Sequence, residues 1–161
     1  MASLALLCTD GSELAQRAIS AGLSVLQPTD RMVLATVSEP VDPTLVTGMS
    51  GFGTATMGPQ QYEEVLAAHR AEAEQALMDT RHALDLGEIE TILVDGEPGP
   101  ALCELAAELG ATVMVAGTRG RGGIRRAVLG SVSDHLVRHA PCPIVITGPR
   151  DDEVETEAAP S

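Results

Sequence analysis

Apolar positions along this chain follow two alternating rhythms. Residues 3–7, 32–37, 90–94, 111–116 and 144–147 are short, nearly unbroken apolar runs of strand length. Between them the apolar residues recur at three- and four-residue intervals. Ala15, Ala18, Ile19, Gly22, Leu23 and Leu26 form one stripe, which Pro28 stops. Val65, Leu66, His69, Ala73, Ala76, Leu77 and Leu84 mark a long second helix over roughly 60–85, ended by Gly87. Ala101, Leu102, Leu105, Ala106 and Leu109 mark a third, closed by Gly110, and a short fourth spans about 131–139. Five strands alternating with helices predict an α/β domain, an open parallel sheet with helices on both faces.

Two segments stand outside this rhythm. Residues 38–60 form a long connection with Gly48, Gly51, Gly53 and Gly58 among Met49, Phe52 and Met57, read as a mobile surface loop, a flexible lid or a partner surface. The end of the chain, 150–161, carries five carboxylates and little apolar content, and is expected to be disordered. The domain is therefore placed at 1–149, with no internal repeat.

Composition narrows the function classes. The 161 residues include one Phe, one Tyr and no Trp, so the core must be built from Ala, Val, Leu and Ile. A stacking platform for single-stranded nucleic acid needs aromatic faces, and a formal charge of −13 repels a phosphate backbone, so nucleic acid is not an expected partner. No apolar stretch reaches membrane-spanning length, and the N-terminus lacks the basic region of a signal peptide. Cys8, Cys103 and Cys142 are odd in number and lack CxxC spacing, which suits buried thiols in a reducing compartment; a cytoplasmic location is expected.

The candidate chemistry lies in Gly117-Thr-Arg-Gly-Arg-Gly-Gly-Ile-Arg-Arg-Ala-Val-Leu-Gly-Ser131, between the fourth strand and the fourth helix. Gly117, Gly120, Gly122 and Gly123 permit positive φ and close backbone approach to a ligand. Gly130 and Ser131 open a helix whose free N–H groups favour an anion. Four arginines (Arg119, Arg121, Arg125, Arg126) and no acid occupy the segment. Removing the tail takes five of the 23 acids and one of the ten arginines, so the rest of the body is still acidic and this loop is a local exception. It is not a Walker loop, since no Gly-Lys-Ser/Thr follows, and no Rossmann GxGxxG follows the first strand.

In open parallel sheets ligands sit beyond the carboxyl ends of the strands. Thr9-Asp10-Gly11, Val37 and Gly117–Gly123 all fall on that edge. Asp10 alone would read as a turn residue; beside the glycine loop it becomes a ligand candidate. Ser12 is a suitable helix N-cap. His135 and His139 share a helix face, but a third ligand is missing, and His139 is more simply a partner of the helix dipole. His69 falls on an apolar stripe and is expected to be packed.

The spacing G-x2-G-x9-G-S at Gly117, Gly120, Gly130 and Ser131 resembles the nucleotide signature of the universal stress protein family. Ser133 to Ile146 is similar to that family's last helix and strand, Cys8-Thr-Asp-Gly-Ser12 to its opening turn, and Gly96-Glu-Pro-Gly-Pro-Ala101 to the turn before its third helix. The resemblance runs over about 1–148. It implies five parallel strands in the order 3-2-1-4-5, an adenine nucleotide hydrolase-like α/β fold, usually dimeric, with ATP bound where the full motif is kept. By position, Thr9 and Asp10 would lie at the nucleoside and metal side, with Asp10 reaching Mg2+ through the nucleotide. Val37 would meet adenine through its backbone, and Ala116 and Gly117 would border adenine and ribose. Gly120, Gly130, Ser131 and Val132 would surround the phosphates, with Arg119 beside them. Cys8 departs from the family, which often has Pro there.

The expectation is a cytoplasmic ATP-binding regulatory protein of the stress response, with slow or no turnover and no catalytic residue assigned. The alternatives are a weak ATP hydrolase or phosphotransferase, and a nucleotide-free interaction scaffold. The last strand, Ile144–Thr147, at a sheet edge, is the expected homodimer contact.

Overall fold

The protein is represented by a computed structural model, which describes residues 2–41, 58–118 and 129–148. β1 (Leu4–Cys8) is buried at every position, and Ala5, Leu6 and Leu7 expose no surface. Such a strand needs cover on both faces, and the chain supplies it. α1 (Glu13–Val25) starts at Ser12, whose hydroxyl accepts the Ala15 N–H, and β2 (Arg31–Ser38) follows. After α2 (Pro59–Ala83), with proline in its first turn, come β3 (Glu90–Asp95) and α3 (Pro98–Leu109). β4 (Val113–Gly117), α4 (Ser131–His139) and β5 (Ile144–Thr147) complete the order.

The five strands form one parallel sheet in the order β3-β2-β1-β4-β5. β1 lies at its centre, with Leu6 beside Val33 of β2 and Met114 of β4. The two-residue period of a strand sorts its side chains into two cores. Leu4, Leu6, Cys8, Val33, Ala35 and Met114 meet Leu102 and Leu105 of α3 and Leu136 of α4 on one face. Ala5, Leu7, Leu34 and Val115 meet Ile19 of α1 and Leu77 of α2 on the other. Burying each such aliphatic side chain contributes about 1.5–3 kcal/mol, which is how a core without large rings holds. At Gly22, α1 lies so close to β4 that an added Cβ would overlap Val115 Cγ1.

The fourth strand begins two residues later than the apolar run suggests. Gly110 takes the left-handed conformation (φ 63°, ψ 41°), and the Ala111 N–H donates to the Ala106 carbonyl, so these residues finish α3. The Thr112 hydroxyl donates to the Leu4 carbonyl and accepts the Leu4 N–H, joining the sheet before the strand proper. Gly117 is the last residue of β4 and is not among the positive-φ glycines, contrary to the expectation of left-handed freedom there; Gly11, at φ 80°, takes that role. Most of the 38–60 connection, including Met49, Phe52 and Met57, lies outside the described residues. So do Arg119, Gly120 and the run through 128, and the tail from 149.

Candidate functional site

The order 3-2-1-4-5 reverses direction between β1 and β4, and there the two crossovers leave the sheet on opposite faces. A cleft of about 650 Å³ opens at that point, over the carboxyl ends of β1, β2 and β4. Its floor is Cys8, Thr36, Val37 and Ala116, largely buried and mostly apolar.

One wall is α2. A 25-residue helix runs about 38 Å, whereas the eight residues of β2 span about 26 Å, so α2 overhangs the sheet. Its buried residues Ala73, Ala76, Leu77 and Thr80 all lie in the second half. Ala73, Ala76, His69 and Glu72 face the cleft. His69, expected to be packed, is exposed, because the stripe it belongs to continues past the sheet's end into the cleft mouth. An exposed ion pair joins Arg70 to Asp95 (2.8 Å), the last residue of β3, where this part of the helix passes the sheet edge.

The opposite wall comes from Pro98 and Leu102 of α3 and from Leu129 to Ser133 and Leu136 around α4. Gly130 caps α4 by backbone alone, with no side-chain cap bond, and its own N–H donates to the Thr118 carbonyl (2.7 Å). The first N–H groups of a helix have no intrahelical acceptor. Here they belong to Ser131, Val132 and Ser133, all of which line the cleft. The buried Ser133 hydroxyl donates to the Gly117 carbonyl (2.6 Å), tying α4 to the end of β4. This is the arrangement of an anion site set beside an apolar slot.

The turn after β1 is heavily cross-linked. Asp10 Oδ1 accepts both the Ser12 N–H (3.0 Å) and the Ser12 hydroxyl (2.6 Å). The Thr9 hydroxyl accepts the Gly11 N–H and lies 2.9 Å from the hydroxyl of the fully buried Thr80. Thr9 therefore lines the cleft with its hydroxyl already engaged inside the protein. Asp10, Glu39 and Glu72 make the remaining cleft lining acidic, in contrast to the helix N-terminus across from them. Burial pushes the Cys8 thiol up to about 12, with Cys103 and Cys142 adding to the effect, so Cys8 is a neutral floor residue.

Of the residues singled out in the sequence, the cleft brings together Thr9, Asp10, Val37, Ala116, Gly117, Gly130, Ser131 and Val132. Arg119 and Gly120 lie outside the described residues. His135 and His139 stand apart from this cleft lining: their rings stack at 4.3 Å, and His139 Nδ1 lies 3.0 Å from the His135 carbonyl. The sequence reading missed Thr80, Ser133 and the whole α2 wall. The small residues at 73 and 76, one and two helical steps beyond His69, were the available signal.

The sequence profile of the universal stress protein family matches residues 1–148, the entire described domain. The chain belongs to the universal stress protein family. The universal stress protein MJ0531 of Methanocaldococcus jannaschii is 27% identical over 140 residues, covering 86% of this chain and 77% of that one. A universal stress protein of Thermus aquaticus is 29% identical over 142 residues, covering 88% and 95%. Among solved structures, the protein MJ0577 superposes with a TM-score of 0.72 at 18% identity, over 94% of this chain and 99% of its own. Two others share the fold with a nucleotide present. An Arabidopsis thaliana family protein with AMP bound has a TM-score of 0.57 at 17% identity, over 94% of each chain. A universal stress protein in complex with cAMP has a TM-score of 0.54 at 24% identity, over 91% of this chain and 96% of its own.

Proposed function

We propose that this universal stress protein binds an adenine nucleotide, ATP with Mg2+ in its working state, and acts as a nucleotide-dependent regulatory dimer in the cytoplasm. The observation that carries the reading is the N-terminus of α4, capped by no side chain and opening into an apolar slot at the β1/β4 switch point. The base lies over the floor by Val37, and Ala116 and Gly117 border it and the ribose. The phosphates meet Gly130, Ser131 and Val132, with Arg119 and Gly120 completing the cradle. Asp10 faces the metal carried by the nucleotide. The AMP and cAMP held by two proteins of the same fold support an adenine ligand.

The magnitudes agree. Micromolar affinity needs about −8 kcal/mol. Hydrogen bonds to a charged group contribute about 1.5–3 kcal/mol each, so four or five from backbone N–H groups and Ser131 suffice after ordering costs. At the far side of the sheet β5 is an edge strand with half-buried Ile144, Val145, Ile146 and Thr147, and pairing there joins two copies.

Mass spectrometry of ligand released from heat-denatured protein tests the reading, together with melting in added ATP and magnesium. Nucleotide near one per chain, turning over slowly or not at all, is expected. A protein that releases none and whose melting temperature ignores ATP and magnesium would overturn it. Dimerisation is checked separately, by light scattering of the intact protein and of a variant with a charge placed in β5, Val145→Glu.

A further inference from the structure

The cleft has one planar side-chain ring among its described lining residues, and it is not in the core. His69 stands at the outer end of the α2 wall, one helical step before Ala73 and two before Ala76, and is exposed where its stripe leaves the sheet. Ala73 and Ala76 behind it leave room for a slab, with Glu72 on the same wall. The facing wall presents the apolar Pro98, Leu102 and Val132 beside the polar start of α4. The next residue, Arg70, pairs with both Asp95 oxygens (2.8 and 3.0 Å), so the turn carrying the imidazole lies beside the sheet edge. No Phe, Tyr or Trp shares this described lining, and the whole sequence has just one Phe and one Tyr.

We propose that the His69 imidazole lies against the face of the nucleobase and gives the cleft a preference for purines. This inference rests on the nucleotide reading above and adds the residue that selects the base. Stacking follows overlap area, so a two-ring base gains more than a one-ring base, and an aromatic or imidazole face serves any purine without hydrogen-bond readout. The phosphate end of the cleft is indifferent to this contact, since it binds through α4.

The test is calorimetric titration of the full chain with AMP, CMP and ribose 5-phosphate. His69 is exposed on a helix, so His69→Ala, His69→Gln and His69→Phe keep the fold, and circular dichroism checks that they do. Wild type is expected to prefer AMP to CMP. His69→Ala weakens AMP binding about tenfold, the low end of a base-stacking loss, weakens CMP less, and leaves ribose 5-phosphate unchanged. His69→Phe retains AMP affinity, whereas His69→Gln does not. If wild type binds AMP and His69→Ala binds it equally well, this inference fails and the nucleotide reading stands. It also fails if Gln restores affinity and Phe does not, because the contact is then a hydrogen bond. A wild-type protein that takes up no AMP removes both.

Discussion

The hydroxyl of Thr9 and the hydroxyl of Thr80 meet at 2.9 Å in the interior, joining positions 71 residues apart. Thr9 also accepts the Gly11 N–H, and its own N–H donates to the Ala35 carbonyl. One buried pair thus fastens the turn that carries Asp10 to the helix that carries His69. Replacing Thr80 with Val leaves the Thr9 hydroxyl without its partner and is expected to cost about 1–3 kcal/mol in urea unfolding. Thr80→Ser should recover most of that. A Val variant as stable as wild type would show that the pair contributes nothing.

Gly22 and Val115 offer a packing test. Gly22→Ala forces a methyl group into Val115 Cγ1 and is expected to destabilise by about 1–3 kcal/mol, despite the better helix propensity of Ala. Val115→Ala alone leaves a cavity costing about 2 kcal/mol. Together they relieve each other, so the double variant should fall short of the sum by about 1 kcal/mol in denaturant titrations. Strict additivity would mean that α1 simply moves away.

Cys8 predicts an alkaline weakness. Its thiol is raised from 9.0 to about 12 by burial first and by the other two cysteines second. Above pH 9 the unfolded chain gives up this proton while the folded chain keeps it. Stability is therefore intact below pH 9 and lost as pH rises toward 12, by about 1.4 kcal/mol per pH unit for this group. The ten Lys and Arg positions are all Arg, so no lysine titration overlays that window. Unfolding midpoints at pH 8, 9.5 and 10.5 should fall for wild type and fall less for Cys8→Ala. Parallel slopes for the two proteins would contradict the assignment.

Ser133 connects the anion end of the cleft to the sheet. Ser133→Ala strips the Gly117 carbonyl of its donor and should cost about 1 kcal/mol of stability. Because the same residue helps form the start of α4, AMP affinity should drop by about threefold or more, as a displaced helix terminus loses part of its hold on phosphate. Titration of AMP into the variant decides it; an unchanged dissociation constant would assign Ser133 to folding alone.

Much of this was legible in the sequence because the signals were local. The apolar runs at 3–7 and 32–37 overlap β1 and β2 to within a residue at each end, and Ser12, Gly110 and Gly130 mark helix ends by their own chemistry. Thr9, Asp10, Val37 and Gly117 fall at one edge because parallel strands all end on the same side. The misplaced start of β4 came from a helix ending that borrows Ala111, an apolar residue indistinguishable from strand by pattern. His69 was misread for a different reason. Helical periodicity says which residues share a face, but not where the sheet beneath that face runs out. Thr80 and Ser133 gave no local sign, since a hydroxyl on a helix becomes informative when its distant partner is known.

The stitch between Thr147 and Ala18, 2.8 Å long and 129 residues apart in sequence, bears on how this chain comes to life. The central strand takes one neighbour from the early part of the chain and the other from residues past 112, while the first helix waits for a hydroxyl in the closing strand. A growing polypeptide released residue by residue from the ribosome cannot finish its sheet until Thr147 has emerged. Interrupting synthesis before Ile144 should therefore yield an incomplete product with one flank of β4 bare, suited to chaperone capture rather than to ligand uptake.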